Sequence, residues 1–255
     1  MARGGRVGVG IDGWRRGWVV AALEAGEGAA PRVRVVRRIE EIEPWLEAEG
    51  LVPLRRLVDI PVGLPAAGTR AVEGAAKKRL AALGAPPSSV FPVPPRIVFD
   101  ALDFAEAQRL AQAATGKGLS LQSWHLVPKI REVDLYLRRR DPLRPPLCES
   151  HPELVFALLA ARLGAGPLPR KATPAGVEAR LALLRALAVE TGALLEAAVP
   201  VDGVAPKADD LLDATILAWL AARPERALAA LPDTPETDPL GLPMEMVIPA
   251  PAPGE

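Results

Sequence analysis

Five acids stand where the chain changes direction. Asp12 closes the run VGVGIDGW, and Asp59 closes LRRLVDIPVG in the same way. Asp210 and Asp213, in KADDLLDA, are three residues apart and so share one face of a helix. Glu149 ends a further extended run, in CESHPE, where His151 and Glu153 alternate with it. Carboxylates at the ends of neighbouring strands repel one another unless a cation lies between them. Hard Mg²⁺ or Mn²⁺ suits an all-oxygen set of this kind. Two ions about 4 Å apart would activate a water on one side of a phosphodiester and stabilise the leaving oxygen on the other. No histidine base or cysteine nucleophile is required, which suits a chain with two His and one Cys. The catalytic set expected is therefore Asp12, Asp59, Glu149, Asp210 and Asp213, with Asp12, Asp59, Asp210 and Asp213 as metal ligands. Plainer readings stand beside this one. Asp12 also suits turn chemistry, Asp209 or Asp210 suits the start of a helix, and SHPE reads as a helix start capped by Ser150 or His151.

These acids need a sheet and a helix to bring them together. Val7, Val9 and Ile11 fall on one side of an extended chain, and Gly8, Gly10 and Asp12 on the other. Extended segments at 6–12, 17–24 and 32–39 are joined by short glycine-rich links, which predicts an antiparallel meander. EEIEPWLEAEG reads as a short helix closed by Gly50, and LRRLVDIPVGLP as a fourth strand stopped by Pro61 and Pro65. The order is that of an α/β protein with a mixed sheet.

From 66 to 145 the pattern turns helical, in RAVEGAAKKRLAALG, ALDFAEAQRLAQAATG and REVDLYLRRR, around the stiff loop PPSSVFPVPPR. This reads as a helical insertion within a single domain spanning 1–255. PPLCESHPE resumes as a strand running into the helix HPELVFALLAARLG. VEARLALLRALAVETGALLEAA has long helical periodicity, KADDLLDATILAWLAARPERALAAL reads as the last major helix, and PAPAPGE as a frayed tail.

Composition narrows the function classes. Lys+Arg and Asp+Glu both number 31, so no global basic field recruits nucleic acid, although a local basic rim is compatible with an enzyme. Hydrophobic residues at 49% and charged residues at 24% are those of a globular protein. A single cysteine, Cys148, excludes an internal disulfide framework and suits a reducing compartment. No apolar run approaches the roughly 20 residues that span a bilayer, and MARGGRVGVGID lacks the apolar core of a signal peptide. The expectation is a cytoplasmic protein without membrane contact. The absence of asparagine and the 28 prolines fit a heat-adapted source or, equally, a GC-rich genome.

The motifs GIDGWRRGWVV, VDIPVGLP, SSVFPVPPR, VPKIREVD, CESHPE and DDLLDA, in that order, resemble the domain-of-unknown-function family 429. The resemblance covers nearly the whole chain. It implies a ribonuclease-H-like fold: a mixed sheet, an antiparallel three-strand meander plus parallel strands, flanked by helices. It also implies the activity forecast for that family, a nuclease. Within the wider fold, the Holliday-junction resolvases have a similar arrangement, with an Asp on the first strand, an acid on the fourth, and an Asp-x-x-Asp pair on the final helix. The matching positions here are Asp12, Asp59, Asp210 and Asp213. The helical insertion departs from ordinary ribonucleases H and bears on substrate choice.

Basic residues complete the reading. Arg96, Lys129 and Arg131 would grip a phosphate over the acids, or simply be solvated surface charges. Trp14, Trp18 and Trp124 would stack on bases or, more simply, fill core and rim. Lys171 with Thr173, in PRKATPAG, reads as a weak anion site at a helix start, without the glycine spacing of a P-loop. The partner expected is nucleic acid, DNA or RNA, with a homodimer compatible with an exposed insertion. Two other classes compete. One is ATP-dependent phosphoryl transfer on the related actin-like and sugar-kinase fold, although Trp14 and Arg15 replace the hydroxyl residue expected after the first turn. The other is a non-catalytic binding protein whose acids are relics.

Overall fold

The computed structural model describes residues 5–139 and 146–251. The end of the expected insertion, 140–145, and the last four residues of the tail lie outside them. The chain opens with β1 (Arg6–Trp14), β2 (Gly17–Glu24) and β3 (Arg32–Val36), which form the expected antiparallel meander. The meander registers Asp12 against Val19 and Trp14 against Gly17. β3 stops at Val36 rather than 39, because a 3-10 turn at Ile39–Glu41 leads into α1 (Ile42–Ala48). β4 (Val52–Val58) then returns beside β1 in parallel, with Ile11 opposite Val58. It ends at Val58, short of the expected 65. Pro61 and Pro65, which cannot donate to a ladder, stand in the loop that follows.

Three helices follow: α2 (Ala71–Ala82), α3 (Phe104–Thr115) and α4 (Leu121–Arg138). α4 begins at Leu121, ten residues before the expected REVDLYLRRR, and runs through Pro128. β5 (Leu147–Glu149) pairs in parallel with β4, placing Glu149 opposite Val58, and α5 (Pro152–Arg162) leaves directly from it. The five-stranded sheet has the order β3-β2-β1-β4-β5. This mixed sheet flanked by helices is consistent with a ribonuclease-H-like arrangement.

The long helix expected over 177–198 is divided. α6 (Pro174–Ala186) ends before Ala188, which adopts the left-handed φ of 59°, and Val189 then bridges to Ala29. α7 (Ala208–Ala221) ends before Pro224, and the segment expected to prolong it becomes a strand instead. β6 (Leu228–Thr237) and β7 (Pro243–Pro249) form a separate antiparallel hairpin. Its Leu231, Met246 and Ile248 pack with Val72, Leu80 and Leu154 beneath α2 and α5.

The main sheet is covered on both faces. Val7, Val9, Ile11, Trp18 and Val20 pack with Ile39, Ile42, Leu46, Ile130 and Val133, from the α1 turn and α4. On the opposite face Val19, Ala21, Leu23 and Leu57 pack with Leu212, Ile216 and Leu217 of α7 and Phe156 of α5. Among the described residues, no helix is long and apolar enough to cross a membrane.

Candidate metal centre

Strand alternation puts Gly8, Gly10 and Asp12 on the α7 side of β1. The two glycines let the helix lie directly on the strand. A Cβ on Gly8 would stand 2.2 Å from the Ala222 nitrogen, and one on Gly10 2.0 Å from the Ala214 carbonyl oxygen. No other residue type fits, since both clashes are with backbone. The acid two residues beyond Gly10 therefore meets the acid next to Ala214, and Asp12 comes to face Asp213. Asp59, the first residue past β4, donates its backbone N–H to the Ile11 carbonyl at 2.9 Å, which sets it beside Asp12. Asp12, Asp59 and Asp213 each turn one carboxylate oxygen into a group whose members lie within 4.8 Å of one another.

Little in the protein offsets this concentration of charge. Asp12 and Asp213 are buried and Asp59 is half-buried. Burial first, then the charges of Asp213 and Asp59, pushes the Asp12 carboxyl well above the usual carboxylate range. Burial likewise raises Asp59, against the pull of His151 and Lys171, and pushes Asp213 up to about 6 despite Lys171. Lys171 is the one counter-charge in contact among the described residues: its Nζ donates to Asp213 Oδ2 at 2.5 Å. Burial disfavours that ammonium, but Asp213, Asp12 and Asp59 together hold its pKa above the ordinary lysine range. Asp213 Oδ1 is buried with no hydrogen-bond partner. An unpartnered carboxylate oxygen facing two more carboxylates is a donor set that fits a hard divalent cation.

The model of the family described as "Protein of unknown function (DUF429)" matches residues 10–237. The chain belongs to that family. No curated protein and no solved structure matches it. The stretch shared with the DUF429 model contains all three converging acids and Lys171.

The remaining acids of this DUF429 chain are engaged elsewhere. Asp210 Oδ2 accepts the Lys207 backbone N–H at 2.8 Å and closes a capping arrangement at the start of α7. Its charge reaches Asp12, but its oxygens lie outside the converging group. Glu149 does not turn toward the triad. It takes two hydrogen bonds from Arg70, at 2.8 and 2.9 Å, and a third from the Val62 backbone at 2.8 Å. Both Glu149 oxygens are thus engaged, and Arg70 also pairs with Glu73. His151 caps α5, its Nδ1 accepting the Leu154 N–H at 3.2 Å, and Glu153 pairs with Arg180 at 2.7 Å.

The predicted phosphate grips divide in the same way. Arg96 is tied to Asp134 at 2.9 Å and Asp238 at 2.5 Å, joining α4 to the β6–β7 hairpin rather than reaching over the acids. Lys129 stays near: its Nζ donates to the Gly17 carbonyl at 2.5 Å and lies 4.0 Å from the Trp18 ring centre, close enough to feel Asp12. Arg131 is exposed, with no ion pair among the described residues. Trp14 and Trp18 are buried in the two cores, so neither is open to a base, while Trp124 packs on Phe104 at 6.3 Å. Thr173 caps α6, its Oγ1 accepting the Gly176 N–H at 3.1 Å. Lys171, read from the sequence as part of an anion site, turns to the acids instead. No local spacing in the sequence connects it with Asp213; only the packed fold does.

Proposed function

We propose that this DUF429 protein is a metal-dependent phosphodiesterase that hydrolyses nucleic acid, with Mg²⁺ or Mn²⁺ held by Asp12, Asp59 and Asp213. The convergence of those three carboxylates, two buried and one half-buried, carries the reading. An ion held there would lower the pKa of a water and polarise a phosphoryl oxygen. The residues around it supply the rest. Asp12 and Asp59 lie at the carboxyl ends of two parallel strands, where α/β sheets generally open to ligands. Gly13, Trp14, Arg15, Lys207, Asp209 and Asp210 line a cleft beside them, with Arg15 and Lys207 exposed on its rim. Those two cations are the groups that would meet the phosphates of a polyanionic strand there, beside Asp209 and Asp210.

The test is a cleavage screen over single-stranded and duplex DNA and RNA, with and without Mn²⁺, run beside Asp12→Asn. Cleavage is expected with the ion alone, with a loss of at least about a hundredfold in the variant. Hydrolysis that continues undiminished in a chelator refutes the reading.

A further inference from the structure

The carboxylate inventory around the centre is short by one. Only three carboxylates converge, and each nearby acid already has a partner of its own. Asp210 closes the α7 start, Glu149 is held by Arg70, and Glu153 by Arg180. What stands at the triad in place of a fourth acid is a cation, Lys171.

The backbone around Lys171 is fixed on both sides. Arg180 is fully buried and donates to the Pro169 carbonyl at 2.9 Å, the Gly176 carbonyl at 3.0 Å and Glu153 at 2.7 Å. Thr173 Oγ1 donates to the Arg170 carbonyl at 2.8 Å. A Cβ on Gly176 would lie 2.0 Å from that same carbonyl oxygen, so the loop is seated on the first turn of α6. The Lys171 side chain is nevertheless 44% exposed. One of its three N–H donors goes to Asp213, which leaves two for other partners.

Resting on the hydrolytic reading above, we infer that Lys171 takes the place of a second metal ion: the centre binds one divalent cation, and the Lys171 ammonium is the other positive charge. Three carboxylates against one ammonium leave a deficit of two, the charge of one divalent ion. In hydrolysis the oxygen and one hydrogen of water join phosphorus. The ester oxygen departs with the bonding pair and takes the other hydrogen as a proton. Lys171 donates a hydrogen bond to a non-bridging phosphate oxygen as negative charge gathers there.

Titration of the full chain with Mn²⁺, followed by electron paramagnetic resonance, counts the ions without reference to activity. One Mn²⁺ per chain with an uncoupled spectrum is expected. Lys171→Met, with its fold checked by circular dichroism, is expected to keep a single site and bind Mn²⁺ about tenfold more tightly, since a competing cation is gone. Its cleavage is expected to fall about a hundredfold or more. Two coupled ions in the wild-type chain would overturn the inference while leaving metal-dependent hydrolysis standing, as would a Lys171→Met variant that cleaves at the wild-type rate. No Mn²⁺ binding at all would overturn both.

Discussion

Two buried charge clusters stand side by side in this protein and are built in opposite ways. Val58 of β4 is opposite Glu149 of β5, and the next residue is Asp59. Around Glu149 the hydrogen bonds are filled: Arg70 spans both its oxygens and Glu73, and adds bonds to the Val62 and Gly63 carbonyls. Around Asp59 three carboxylates share one ammonium, and an oxygen of Asp213 has no partner. The same end of the sheet thus holds one cluster whose hydrogen bonds are filled and one in which they are not. A fold that bonds both oxygens of Glu149 has left an oxygen of the neighbouring Asp213 without a partner, and that contrast separates the candidate site from the Arg70 framework.

The largest test of this contrast is Arg70→Met. Removing the cation strands two buried carboxylates, and an equilibrium urea titration is expected to show a loss of about 3–5 kcal/mol. A loss below 1 kcal/mol would erase the distinction between the clusters. Next is Gly10→Ala, whose methyl must push α7 off β1. Stability is expected to fall by roughly 1–3 kcal/mol, and Mn²⁺ affinity in calorimetry to fall with it, because Asp213 travels with the helix. Unchanged Mn²⁺ affinity would mean that the glycine contact does not position the acid.

The third test uses pH on the metal-free protein. Asp213 is pushed up to about 6 in the fold, whereas a free Asp titrates near 3.9. Between those values the folded chain holds more protons than the unfolded one, so this group makes stability fall as pH rises through that window. The expected loss is about 1–3 kcal/mol, read as the difference between wild type and Asp213→Asn across pH 4 to 7. Saturating Mn²⁺ should raise the wild-type Tm more at pH 7.5 than at pH 5. Equal gains at both would show that the ion does not bind at these carboxylates. The smallest effect belongs to Asp210→Ala. Loss of the capping bond is expected to cost about 1 kcal/mol and to change Mn²⁺ affinity less than about tenfold. A larger change in affinity would move Asp210 from cap to ligand.

Legibility followed the range of the physics involved. β1 to β4 and the mixed sheet could be read because alternation and short glycine links act within a few residues. Asp12 and Asp59 came into view for the same reason, although β1 runs on to Trp14 and β4 stops at Val58. Asp210 and Asp213 could not be told apart by spacing. The first bonds to its own helix start and the second points at β1, a difference set by where α7 docks. Glu149 looked like Asp59 in the sequence until Arg70, the residue before α2 and 79 positions away, claimed both its oxygens. Arg96 was drawn off in the same manner by Asp134 and Asp238. The β6–β7 hairpin stayed hidden because LAALPDTPET and PMEMVIP carry prolines that argue against strands, though an isolated two-stranded ribbon is all edge and tolerates them.

The seat of α7 on Gly8 and Gly10 joins β1 to a helix that lies far along the chain from it, with β2 to β5 and α1 to α6 in between. A ribosome must therefore release the chain through α7 before Asp213 can meet Asp12. Until then the meander can form only an unfinished half of the site, so a truncated translation product has no complete cage in which to capture an ion.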